Sequence, residues 1–209
     1  MTAPAPLKNV HAARAAEICE RYDLDKKARG LLAPDAAPRG FLEALQRDGQ
    51  FQSAACFLAH ALPHREAVWW GCLCLQRAAG GGRSEGETAA VRASVAWVLE
   101  PSEENRRAAE AAAPAAGKGS PAELLAVAVG WTGGSLAPPL PRVPPVPPGP
   151  HLPAKGVYAA VLLAATNAPP LPVQEALRLF VDLGTGVAEG RFPWPADVKP
   201  KQPGKTWGF

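Results

Sequence analysis

One methionine, two tyrosines and six phenylalanines are thin apolar ballast for a chain of 209 residues. Also missing are a long hydrophobic run, an apolar leader and a block of charge of either sign, and each shortage excludes something. Without about 18 consecutive apolar residues there is no membrane-spanning helix. The opening "MTAPAPLKNVHAARAAEI" has no h-region, so the expectation is a cytoplasmic protein with reduced thiols, unless it leaves the cell by a non-classical route. The 22 basic and 19 acidic residues leave a net charge of +3. Nucleic-acid binding needs basic residues clustered on one face. Here the small groups Lys26-Lys27 with Arg29, Arg106-Arg107 and the tail lysines Lys199, Lys201 and Lys205 read as solvated helix faces and a soluble tail.

Familiar reaction motifs are absent too. There is no nucleophile elbow, dinucleotide fingerprint or metal-hydrolase pattern. "GKGS" at Gly117 to Ser120 fails as a phosphate loop, because Gly119 follows the lysine where Ser or Thr is required and no strand precedes it.

What is present is alanine, leucine and valine, which supply most of the 47% apolar fraction and favour closely packed helices. Twenty-four prolines and 20 glycines punctuate them. Apolar spacing predicts helices over Asn9–Tyr22, Gly40–Asp48, Gln50–Leu62, Pro63–Ala79 and Thr88–Leu99, with "GGGRSEGE" as a flexible loop between the last two. Ser102 caps the next helix, and Glu103 with Arg107 makes an i, i+4 pair inside it. Ser120 with Glu123 forms a capping box, and Pro121 takes the first helical position of the helix after that. Two further helices cover 154–167 and 173–190. No segment alternates as a strand does. The predicted fold is all-α, an irregular array of about eight to nine helices. Trp70, Trp97 and Trp131 recur at unequal intervals that do not make a solenoid. The expected organisation is a flexible stretch over 1–8, one helical domain over 9–190 and an extended tail over 191–209.

Within that domain, "LAPPLPRVPPVPPGPHLP" (136–153) has too many prolines for a helix or a central strand. As polyproline II, its stretch from Ala137 to Pro150 would reach about 40 Å. It is expected to lie as a strap across the helices through Leu136, Leu140, Val143, Val146 and Leu152. Its PxxP spacing with Arg142 offers a competing reading as a ligand for SH3-type domains.

The densest chemistry lies in "FLAHALPHREAVWWGCLC", from Phe57 to Cys74. His60 and His64 share the i, i+4 spacing of zinc-binding helices. Pro63 between them would collide with the Ala59 carbonyl in a continuous helix, so they belong to the end of one helix and the start of the next. Cys72 and Cys74 stand about 200° apart around a helix and cannot ligate one ion. No metal or other cofactor is expected, and Trp69, Trp70 and Cys72 read as core. Gly71 is expected to admit a neighbouring helix closely. Arg65 and Glu66 open this helix, where the dipole favours Glu66 and leaves Arg65 to pair elsewhere or with a partner. The tail aromatics Phe192, Trp194, Trp207 and Phe209 form an exposed anchor unless they fold back.

Taken in order, "FLAHALPHREAVWWGCLC", "PSEENRRAAEAA", "GWTGGSLAPP" and "RFPWP" resemble an uncharacterised bacterial family of small cytoplasmic helical proteins, over about Phe41 to Pro195. That family is associated with gene neighbourhoods of contractile (type VI) secretion systems. The resemblance implies an accessory or adaptor role and supplies no catalytic residues. The expectation is therefore a protein-binding adaptor or chaperone-like factor whose partner is another protein, with no nucleic acid and no membrane insertion. Arg65, Glu66, Phe192, Trp194, Trp207 and Phe209 are the candidate partner-binding residues. A second reading is an enzyme using His60, His64 and Glu66 as acid–base groups in a cleft. A third is a structural subunit of a larger assembly.

Overall fold

The computed structural model describes residues 6–80, 82–137 and 144–194, and among them it has ten α-helices and no strand. They are α1 (Ala15–Cys19), α2 (Lys26–Arg29), α3 (Pro38–Arg47), α4 (Phe51–Ala61), α5 (His64–Ala78), α6 (Glu85–Leu99), α7 (Glu103–Ala112), α8 (Pro121–Gly130), α9 (Leu152–Thr166) and α10 (Val173–Ala188), with a 3₁₀ turn at Ala113–Ala116. The all-α array predicted from the sequence is the observed fold.

α4, α5, α9 and α10 pack together, and α6, α7, α8 and the 3₁₀ turn form a second group. The pairs α8–α9 and α5–α6 join the two, while α1 and α3 lie on α4. α5 is enclosed on almost every side, with Ala67 to Cys72, Cys74 and Leu75 all buried. A helix apolar around its whole circumference has to sit inside. Burying its large side chains contributes about 1.5–3 kcal/mol each.

Small residues let these helices meet. A Cβ on Gly71 would lie 2.6 Å from Leu125 of α8, and one on Gly156 of α9 would lie 2.7 Å from the Cβ of Ala128. Gly184 of α10 receives the indole of Trp70, whose Nε1 donates to the Phe180 carbonyl at 2.8 Å.

The proline at 63 breaks the chain where steric reasoning places the break: α4 ends at Ala61 with His60 in its last turn, and α5 begins at His64. Other boundaries differ from expectation. The first helix covers only Ala15–Cys19, because Asn9, its expected start, is spent on the far end of the chain. Its N–H donates to the Ala188 carbonyl at 2.9 Å and its side chain to the Val187 carbonyl at 2.8 Å, capping α10. α2 is an additional short turn, capped by Asp25, which accepts from Lys27 and Ala28 N–H at 2.9 Å.

α6 starts inside the supposed loop "GGGRSEGE". Ser84 and Glu87 close a reciprocal capping box at 3.2 and 2.9 Å. At Ser120 the box is only half as expected. The hydroxyl accepts from Glu123 N–H at 3.1 Å, but the Glu123 carboxylate turns to the N–H of Gly119.

The proline-rich segment does not stretch across the helices. Its two described ends meet, with Leu136 N–H donating to the Val146 carbonyl at 2.8 Å. The Ser135 hydroxyl also accepts from the N–H of Ala137 and of Val146. The described ends are thus tied to each other rather than held apart. Leu136 and Val146, expected to pack down, are 38% and 50% exposed. Leu140, Arg142 and Val143 lie outside the described residues.

Candidate functional site

Arg65 reaches from the first turn of α5 to the C-terminal end of α6. Its Nε and Nη2 donate to the carbonyls of Val98 and Leu99 at 2.6 and 3.0 Å. A helix C-terminus carries unpaired carbonyls and partial negative charge, and the planar fork of arginine satisfies two of them at once. The Trp194 ring lies 4.1 Å from the guanidinium carbon. One helical turn on, Trp69 donates from Nε1 to the Phe192 carbonyl at 2.8 Å. Phe192 packs over Gly186, where a Cβ would overlap its ring, and Arg191 lies 5.5 Å from that ring. The stretches "REAVWW" and "RFPW" are therefore one structural unit. Phe192 and Trp194, the nearer two of the four tail aromatics, are held against the domain, whereas Trp207 and Phe209 lie outside the described residues. Glu66 is half-buried in the first turn of α5. Trp69, Trp70 and Cys72 are buried, and the Cys72 thiol is pushed up to about 12 by burial.

A second unit joins "EENRRAAE" to "GWTGGS". Arg106, only 3% exposed, forks onto both Glu103 carboxylate oxygens at 2.6 Å and also donates to the Gly130 carbonyl at the end of α8. Arg107 donates to Glu103, to Glu110 and to the carbonyls of Ser135 (2.9 Å) and Ala137 (3.2 Å). Gly134 turns at φ +65°, and a Cβ there would meet Arg106 at 2.8 Å. The Arg106 and Arg107 hydrogen bonds hold the Glu103 carboxyl down to about 2. Of two arginines that read in sequence as a solvated face, Arg106 thus ties α7 to the end of α8 and Arg107 holds the start of the proline-rich segment.

The third assembly is a cleft of about 380 Å³ that collects every histidine of the chain: His11, His60, His64 and His151. His60 is 3% exposed. Its Nδ1 donates to the Cys56 carbonyl one turn back at 3.0 Å, Tyr22 covers its ring at 4.6 Å between centroids, and its Nε2 is buried with no hydrogen-bond partner. Arg21 donates to the His60 carbonyl at 2.8 Å, and the His151 ring lies 6.4 Å from that of His60. Burial pushes His60 below the ordinary histidine range, opposed by its bond to Cys56. His64, exposed at the rim of the cleft, is lowered in the same direction by partial desolvation, opposed by the carbonyls of Thr132 and Pro150.

Of the acid–base trio read from sequence, His60 and His64 line the cleft and Glu66 does not. His11 and His151 take their places beside it. Sequence reasoning passed over both, since nothing local marks a histidine 91 residues from its neighbour in space as part of one cluster. Among the described residues no group of three or more His, Cys, Asp or Glu side chains is arranged to hold a metal ion. No described helix is long and apolar enough to cross a membrane.

No curated protein and no solved structure matches the chain. A family model does match, over residues 41–188. That range takes in most of α3, all of α4 to α10, Arg65, Trp69, Arg106, Arg107 and three of the four clustered histidines, and stops short of Phe192 and Trp194. The chain belongs to DUF6931, a family of unknown function.

Proposed function

We propose that this protein is a non-enzymatic adaptor or accessory factor that binds another protein through its proline-rich loop. The observation that carries this reading is the closed neck at Ser135, Leu136 and Val146. The described ends of the segment are tied to each other and held by Arg107 in a fixed place, and both Leu136 and Val146 are exposed there. Exposed apolar side chains held together at a fixed neck suit an apolar or aromatic-lined groove on a partner, at low entropic cost. The resemblance of the motifs to a bacterial family near contractile secretion genes supports an accessory role to such a system, acting from the cytoplasm.

The test is affinity purification of the tagged chain from its native host, read by mass spectrometry. Wild type is compared with a Leu136→Ser/Val146→Ser variant and with a truncation after Pro195. A partner held by wild type and lost from the loop variant supports the loop reading. Loss only on truncation moves the contact to the tail with Trp207 and Phe209. An identical set of proteins from all three forms refutes this adaptor reading.

A further inference from the structure

The four-histidine cleft has a composition that neither packing nor the adaptor reading requires. α5 and α9, each 15 residues long, both begin at it, and neither first turn has a side-chain cap. In α9 the Leu152 N–H is taken by the Gly149 carbonyl and Pro153 has none, so that helix offers chiefly the positive end of its dipole, to which α5 adds its first-turn N–H groups; both favour negative charge. The opposing end of α4 has its His60 carbonyl covered by Arg21, which uses one of five N–H donors to do so. Among the described residues no carboxylate lines the cleft, whereas Arg21 and all four imidazoles do. The feature that points to a ligand is His60. It is 97% removed from solvent, its Nδ1 proton is committed to its own helix, and its Nε2 is left without a partner. An orphaned polar atom of this kind is costly unless something else supplies the missing bond.

We propose that the cleft between the end of α4 and the starts of α5 and α9 binds a small molecule carrying an oxyanion, a phosphate or a carboxylate, held by Arg21, His60, His64 and His151. The chemistry is self-consistent. With the cleft empty, a proton on His60 Nε2 would have no acceptor; with an oxyanion present, it donates a charge-assisted hydrogen bond. The groups around the His60 ring are Arg21 and Tyr22 from the segment after α1, Cys56 on α4, His64 on α5, and His151 and Lys155 at the start of α9. The charged ones are all cationic or become so in acid, so the anion and the imidazole protons favour one another. Binding therefore strengthens as pH falls, and by reciprocity the bound anion raises the titration midpoints of His60 and His64.

Sulfate, which stays doubly charged throughout, and acetate are titrated into the full chain, with chloride at matched ionic strength as the reference. The histidine ring signals are followed by NMR and affinity by calorimetry. The expected result is saturable one-site binding that moves the His60, His64 and His151 signals. Affinity rises about tenfold or more from near pH 7.5 to near pH 5.5, through the histidine range. Arg21→Gln should weaken it about tenfold. His151→Asn, which leaves the α4 carbonyls and the core alone, should weaken it as well. Sulfate binding the tighter identifies a phosphate-type ligand, and acetate the tighter a carboxylate. Unsaturable shifts alike for all three salts overturn the proposal. So does sulfate affinity unchanged in both Arg21→Gln and His151→Asn.

Discussion

Trp69 Nε1 donates at 2.8 Å to the carbonyl of Phe192, 123 residues later in the chain. Through that bond and the Arg65–Trp194 stack, the segment leaving α10 returns to the start of α5. Trp69→Phe retains most of the buried ring and removes only the donor. The expected loss is about 1 kcal/mol, or roughly 2–4 °C in Tm for a chain of this size, with faster proteolysis beyond α10. An unchanged cleavage rate there refutes the clasp.

Arg65 and Trp194 should be energetically coupled. In a double-mutant cycle of Arg65→Lys and Trp194→Leu, measured by denaturant unfolding, the coupling is expected at about 0.5–1 kcal/mol. Lysine keeps the charge but not the fork that spans two carbonyls, so Arg65→Lys alone should destabilise by about 1–2 kcal/mol.

Two glycines make opposite predictions. A Cβ on Gly86 would overlap the Ala115 carbonyl, whereas one on Gly40, in the first turn of α3, meets nothing within 4 Å. Gly86→Ala should therefore cost about 3 kcal/mol or more through forced displacement of α6 from the 3₁₀ turn. Gly40→Ala should stabilise by about 0.5–1 kcal/mol, since helix propensity alone is in play. Thermal unfolding of the two variants beside wild type distinguishes them.

Acid should weaken the fold in two steps. His60, buried and held below its ordinary value, takes up a proton less readily in the native chain than in the unfolded one, so stability falls as pH drops below about 6.5. Lower still, Glu103, held down to about 2, contributes stability that is present above the usual glutamate value and lost as pH falls from there towards 2. His60→Gln should flatten the first step and Glu103→Gln the second, each followed by urea unfolding across pH. If sulfate occupies the histidine cleft, it should offset the first step and leave the second unchanged.

The sequence by itself determined the all-α class, most of the helices and several of their breaks. Pro63 separated His60 from His64, Ser102 and Ser120 marked helix starts, and "EAVWWGCLCL" announced a fully enclosed helix, because sterics, capping and amphipathic spacing act over a few residues. Even the α6 start was legible, in the Ser84 and Glu87 box, but three glycines beside it read more strongly as loop. Tertiary structure alone decided the rest. Asn9 left its own helix to cap α10, and Leu136 met Val146 to close the proline segment. Arg106 turned inward to Gly130, and four histidines scattered from position 11 to position 151 met in one cleft. Asn9 and Arg106 each found a carbonyl partner that no local pattern announces. An unpaired buried donor or acceptor costs as much as local preference supplies, and only the folded chain brings its distant partner within reach.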